Sequence, residues 1–247
     1  MVKYYLIDRG YYKKTTRSKL VASALVLCAL VVGGWAYGPI IWYQGLVAPE
    51  IGNRSYVSPL PDTRVLGINN NNFYNPDSWF VASGNSNNLQ IEEPKGDTYY
   101  ITIPALKIIR AKVEIHSDDL AKSLIHYHNT AAPGGQGSAV IFGHSVLPQF
   151  YNPKNYKTIF STLHTLKNGE SIVVEYDDVL YHYQVADKYE VNPEDMYVLD
   201  QDLSDKTLKL ITCTPPGTYA KRLVVESRLV PFDGIEELYE KAVVSGS

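Results

Sequence analysis

Between Lys19 and Glu50 the chain carries no charged residue, and Leu20 to Tyr43 is built mostly of Leu, Val, Ala, Ile and aromatic residues. About 24 helical residues rise about 36 Å, enough to cross a hydrocarbon core of about 30 Å with some tilt. Trp35, Tyr37, Trp42 and Tyr43 crowd the far end, as aromatics do at a membrane–water interface. Residues 1–19 hold six Lys and Arg against Asp8, about +5, and the remainder is therefore about −8 in a chain of net charge −3. A basic flank before the span keeps the N-terminus cytosolic and exports the C-terminal remainder of the chain. A cleaved signal peptide is the competing reading, but the apolar stretch is long for one and no clear small-x-small cleavage site comes after it. The expectation is a cytosolic basic tail over 1–19 and a transmembrane signal-anchor helix over 20–43.

The rest of the 247 residues suffices for one domain with appendages. Residues 44–95 are rich in Asn, Ser, Pro and Gly, including Asn69 to Asn72 and Ser83 to Asn88, and read as an extracytoplasmic stalk. From Thr98 the texture changes to short apolar or alternating runs between turn residues, the pattern of an all-β domain with small helical insertions, placed at 96–232 and followed by a tail at 233–247. The runs are Tyr99–Ile103, Ala111–Ile115, Ser138–Gly143, Ser171–Tyr176, Val179–Val191, Thr207–Cys213 and Lys221–Val230. Short helices are predicted at Asp118–Tyr127 and Tyr156–Leu166, and an amphipathic turn or two at Glu236–Val243. Asp177-Asp178 and the Thr214–Tyr219 stretch with Pro215, Pro216 and Gly217 are hairpin connections, so a closed antiparallel barrel is expected.

No long basic run follows residue 19, which removes the electrostatic footprint of a nucleic-acid binder. The chain has no P-loop, dinucleotide fingerprint, Cys-x-x-Cys or His-Glu-x-x-His, so those chemistries lack their ligands. Cys28 lies in the apolar span, which leaves Cys213 as a single unpaired thiol on the exported side. Cys213 ends an apolar strand beside a loop, an accessible position, and a thiol needs a base or cation nearby to become a nucleophile. Of six histidines, His144 stands at the end of Ala139-Val140-Ile141-Phe142-Gly143, the same kind of strand end. His182 reads as a solvated strand residue, and His116 and His164 as loop or helix-surface residues. His126 and His128 share a face if extended but lack a third metal ligand. Arg222 opens the strand after the Pro-Pro-Gly turn, where a hairpin brings it close to Cys213 to favour a thiolate or bind an oxyanion. A surface arginine is the bland alternative.

Thr207-Leu208-Lys209-Leu210-Ile211-Thr212-Cys213, then Pro215, then Arg222-Leu223-Val224-Val225 resembles the sortase signature, in which a Thr-Cys strand end is followed by an Arg opening the next strand. Phe142-Gly143-His144 resembles the sortase Gly-His motif, and Ala132-Pro133-Gly134 through Gly137-Ser138-Ala139-Val140-Ile141 is similar to the stretch leading into it. Ser145 stands where many relatives carry Arg or Asn, a departure not expected to touch the chemistry.

The resemblance implies an eight-stranded sortase-type closed β-barrel in a single-pass protein of a bacterial cell membrane, its catalytic domain outside. It implies a cysteine transpeptidase that cleaves a C-terminal sorting motif of the Leu-Pro-x-Thr-Gly type in secreted proteins and passes them to an amine, on a peptidoglycan precursor or a pilin lysine. Cys213 is then the nucleophile, Arg222 the oxyanion partner and His144 the proton carrier, with Thr212 a candidate for substrate positioning. No cofactor is expected. Asp118, Asp119, Glu194 and Asp195 are candidates for a calcium site but read better as solvated loop charge. Pilus-building members often carry an Asp-Pro-aromatic lid before the barrel, to which Asn75-Pro76-Asp77-Ser78-Trp79 is loosely similar. The rivals are a cell-surface cysteine hydrolase, although papain-like enzymes place the Cys before the His, and a non-catalytic membrane-tethered binding module with an incidental thiol.

Overall fold

The computed structural model describes residues 16–52, 54, 74–80, 91–231, 239–241 and 243–244. Most of the basic tail, the two Asn-rich runs and most of the C-terminal tail lie outside them, and of the turn expected at Glu236–Val243 only residues 239–241 and 243 are described, as helix. The apolar segment is helical: α1 (Thr16–Trp42), one widened π turn (Tyr43–Val47) and α2 (Ala48–Ile51) succeed one another without a break. Lys19–Ile51 is a helical run of 33 residues, long and apolar enough to cross a membrane.

Eight strands close into a barrel: β1 (Thr98–Ile103), β2 (Ile108–Glu114), β3 (Leu124–His126), β4 (Gly137–Phe142), β5 (Ser171–Tyr176), β6 (Val179–Val191), β7 (Lys206–Thr214) and β8 (Lys221–Val230), in the order β1-β2-β3-β4-β7-β8-β6-β5. Closure leaves no open edge. The ring is not wholly antiparallel as expected, since β2 pairs with β3 and β4 with β7 in parallel. The β5–β6 hairpin turns on Asp177 and Asp178, both at positive φ (52° and 58°), the backbone a tight two-residue hairpin demands.

Alternation along the strands sorts apolar residues between two cores. Ile101, Val113, Leu124, Ile141, Val174, Tyr183, Leu210 and Leu223 come one from each strand and fill the barrel. Val140, Phe142, Val191, Ile211, Cys213 and Val224 point the other way, into a smaller cluster capped by Trp79, Phe80, Leu120 and Val198. That second cover explains why β4 is buried on both faces.

Neither predicted helix forms. Leu120 and Leu124 mimic helical spacing, but Leu120 belongs to the outer cluster and Leu124 to the barrel, and residues 124–126 pair as β3. In the second stretch, bonds three residues apart (Ser161 N–H to Thr158, Leu163 N–H to Phe160) make successive turns with a single 3-10 turn at Leu163–Thr165. Hydroxyls there serve backbone carbonyls, Thr158 that of Asn152 and Thr165 that of Thr162, which favours turns over a continuous helix.

Candidate active site

Phe142 and His144, Ile211 and Cys213, and Arg222 and Val224 are each two apart, and Phe142, Ile211, Cys213 and Val224 all lie in the outer cluster. Extended strands therefore aim the three candidate side chains at one side of the sheet. Cys213 is the register partner of Arg222 across β7 and β8. On its other side β7 pairs with β4, Ile211 opposite Phe142, and the Gly143 N–H continues the ladder to the Ile211 carbonyl.

His144 is held from both neighbours. The Thr212 hydroxyl donates to the Gly143 carbonyl at 2.7 Å, and the Ser145 hydroxyl donates to the Cys213 carbonyl at 2.7 Å. Thr212, a candidate for contact with substrate, is buried and uses its hydroxyl to tie the ends of β7 and β4 together. Ser145, expected to be incidental, is a second tie. Gly143 must be glycine, because a Cβ there would stand 2.4 Å from the Phe160 ring and 2.6 Å from Leu124.

Cys213 is not accessible: it is 1% exposed. The cover is the short segment 74–80. Asn75 caps its 3-10 turn, Pro76–Ser78, through a side-chain oxygen that accepts from the Asp77 N–H. The Tyr74 carbonyl accepts from Leu120 N–H. Trp79, fully buried, meets the Phe142 ring edge-on at 5.3 Å and lies 6.0 Å from the His144 ring, while Tyr74 meets His144 edge-on at 5.2 Å. Arg222 donates from Nε and one terminal nitrogen to the Trp79 carbonyl, at 3.0 and 2.8 Å, and from the other to the carbonyls of Tyr219 and Lys221. These residues, 74–80, fall in the stretch read as a stalk, in which Asn75–Trp79 is only loosely similar to a lid motif; three ring contacts across a gap in sequence are invisible to a reading of local composition.

Burial sets the charge state. It pushes the Cys213 thiol up to about 11, against the pull of Arg222, and pushes His144 down to about 4. Thiol and imidazole are both neutral in this closed arrangement, and among the described residues His144 Nε2 is buried without a hydrogen-bond partner. A neutral imidazole with a free ring nitrogen can accept the thiol proton once water or substrate bridges the site.

Four of the other five histidines have structural partners. His126 is buried, bonded to the Tyr99 hydroxyl at 2.7 Å and to Thr130. His182 and His164 are buried rather than solvated: His182 binds the Ser171 hydroxyl, and His164 meets the Tyr43 ring edge-on. His116 is exposed, and His128 pairs with Asp77 at 3.3 Å. Among the described residues no three His, Cys, Asp or Glu are grouped to hold a metal ion; Asp119 pairs with Lys122.

A family model described as the sortase domain matches residues 101–230, which is 130 of the 247 residues. Sortase A of Streptococcus agalactiae serotype III (strain NEM316) is 29% identical over 96 residues, covering 39% of this chain and 37% of that protein, so the match spans little more than a third of the relative's length. Among solved structures, sortase A from Corynebacterium diphtheriae is similar with 26% identity and a TM-score of 0.50, over 58% of this chain and 65% of that one. Sortase C-1 from Actinomyces oris is similar with 29% identity and a TM-score of 0.48, over 54% and 73%.

Proposed function

The chain belongs to the sortase family, and from that premise we propose that it is a membrane-anchored cysteine transpeptidase of the bacterial cell surface, with its N-terminus in the cytosol. The observation that carries the reading is the convergence of Cys213, His144 and Arg222 on one face of three adjoining strands, with Arg222 already holding a peptide carbonyl. The substrate is a secreted protein with a sorting motif of the Leu-Pro-x-Thr-Gly kind, and the acceptor an amine of the cell wall or of a pilin.

Cys213 Sγ attacks the carbonyl carbon of the motif threonine as its proton passes to His144. The oxyanion takes the place at Arg222 that the Trp79 carbonyl holds in the closed state; donors of this type supply a few kcal/mol in acyl transfer. The threonine–glycine C–N bond breaks, His144 returns the proton to the departing amine, and a thioester joins Cys213 to the substrate. An acceptor amine then attacks the thioester, gives its proton to His144, and Cys213 leaves with it.

Residues 74–80 serve as a lid. Burying Trp79 and Phe80 is worth about 4–6 kcal/mol each and the paired Arg222 bonds a few more, while ordering seven residues costs about 1–2 kcal/mol apiece. The two totals nearly cancel, so a substrate that offers its own carbonyl to Arg222 can displace the segment.

The test is mass spectrometry of the full chain in detergent with a panel of sorting-motif peptides and an amine. A thioester adduct or amine-capped product that vanishes in Cys213→Ala is expected. Ready labelling of Cys213 with no cleavage of any peptide would favour the hydrolase reading, and a folded protein whose Cys213 refuses the label would favour the binding module.

A further inference from the structure

Leu147–Tyr151 forms a tight turn in which Phe150 N–H bonds Leu147 and Tyr151 N–H bonds Pro148. The Tyr151 hydroxyl donates to the Leu106 carbonyl, which braces the turn on the barrel. Phe150 is 53% exposed, and its ring meets Trp35 of α1 edge-on at 5.7 Å. Eight residues further along, Tyr43 is buried in the barrel core, and the half-buried or buried residues Ala36, Ile40, Tyr43, Val47 and Ile51 form one stripe that faces the domain. The helix thus runs up the side of the barrel from Trp35 to Ile51.

Length fixes the depth of that contact. Trp35 lies about 23 Å above Leu20 along the helix, and Tyr43 about 35 Å, against a hydrocarbon core of about 30 Å. Phe150, level with Trp35, sits about 7 Å below the outer boundary, within the 5–10 Å range of interfacial apolar groups. The chemistry of the loop agrees. No Asp or Glu occurs from Ala121 through Gly169, while Lys154 and Lys157, both exposed, come just after the turn.

We propose that the Leu147–Tyr151 turn is a second membrane contact: Phe150 enters the outer leaflet beside α1, and Lys154 and Lys157 face anionic lipid headgroups. Leu147 also packs on Gly217, where a Cβ would stand 2.9 Å from its Cγ, so the contact joins directly to the Thr214–Tyr219 turn beside Cys213. The barrel then lies against the bilayer with its catalytic end near the lipid surface, open to chains that are still held in that membrane. This rests on the reading of α1 as a membrane anchor.

The test uses the full chain with Cys28→Ala and Cys213→Ala, in liposomes of phosphatidylcholine and phosphatidylglycerol. A nitrobenzoxadiazole label goes on Gln149→Cys, exposed beside Phe150, or on Val179→Cys at the start of β6, the barrel end remote from Cys213. The label at 149 is expected to emit blue-shifted light and lose most of its intensity to doxyl-labelled lipid. At 179 it should behave as in water. Adding Phe150→Asp, or Lys154→Glu with Lys157→Glu, should weaken quenching at 149. If the protein floats with the liposomes yet 149 is as water-exposed as 179, the second contact is wrong while the anchor stands. If the protein does not float at all, the anchor fails and this contact with it.

Discussion

Arg222 and Trp79 are bound through the backbone: two nitrogens of the guanidinium converge on one carbonyl oxygen, at 3.0 and 2.8 Å, with the guanidinium carbon 5.5 Å from the centre of the Trp79 ring. The cation expected to serve the reacting carbonyl is thus occupied by a carbonyl of its own chain. Removing the indole should unseat that carbonyl without altering Cys213, His144 or Arg222. Trp79→Ala forfeits about 3–5 kcal/mol of burial in the closed state, and each 1.4 kcal/mol is a factor of ten in the open population. The rate at which a methanethiosulfonate labels Cys213 should rise at least tenfold. An unchanged rate would mean that the segment does not control access.

Acid should destabilise the closed protein steeply. His126, His144 and His164 are each pushed down to about 4, chiefly by burial. The unfolded chain binds protons on these groups from about pH 6.5 downward and the folded one does not, so stability is full above pH 6.5 and is lost as pH falls toward 4. The loss approaches about 3 kcal/mol per histidine at the acid end. Cys213 has the opposite sign: its thiol is raised, so its contribution is lost as pH rises from 9 toward 11. Thermal unfolding measured against pH should show both flanks, and His126→Gln should flatten the acid one by about one proton.

Ser145 gives a sharper test of how the imidazole is aimed. Its hydroxyl is the tie between the His144 loop and the Cys213 carbonyl. Ser145→Ala should cost about 1 kcal/mol of stability but lower kcat at least tenfold with KM little changed, because misplacement of a reacting group by about 1 Å is worth up to about a hundredfold. Ser145→Thr, which keeps the hydroxyl, should restore most of it. Equal activity in all three would remove Ser145 from the machinery.

The barrel strands and the trio of Cys213, His144 and Arg222 were legible because each sits in a local pattern: a two-residue alternation, a strand end, a Pro-Pro-Gly turn. The parallel pairing of β2 with β3 and of β4 with β7 and the burial of the thiol were not: Trp79 covers Cys213 from 134 positions away in sequence, and only the loose likeness of Asn75–Trp79 to a lid motif points to that contact. The failed helices have a similar origin. Leu120 and Leu124 satisfy a helical period while serving two different cores, and periodicity cannot distinguish one buried face from two.

The N-terminal apolar helix is joined to β7 by a chain of hydroxyls, and that coupling should be measurable. Thr214, next to Cys213, donates to the Tyr43 phenol oxygen at 2.6 Å, and the phenol donates to Glu190 at 2.9 Å. Glu190 is buried and takes Lys221, the neighbour of Arg222, at 3.3 Å on its other oxygen. A hydrogen bond to a charged acceptor contributes about 1.5–3 kcal/mol, so Tyr43→Phe should lower stability by about that amount. Tyr43→Ala, which also empties a core position packed on His164, should cost about 3–5 kcal/mol. Glu190→Gln weakens the same bonds and leaves Lys221 without its anion beside Arg222. If the helix end were only a tether, all three variants would unfold in detergent at the wild-type temperature. If it is part of the catalytic domain, their unfolding temperatures should fall in the order Tyr43→Phe, then Tyr43→Ala, and a chain truncated to begin at residue 96, which lacks Tyr43, Ile51, Trp79 and Phe80 together, should be the least stable.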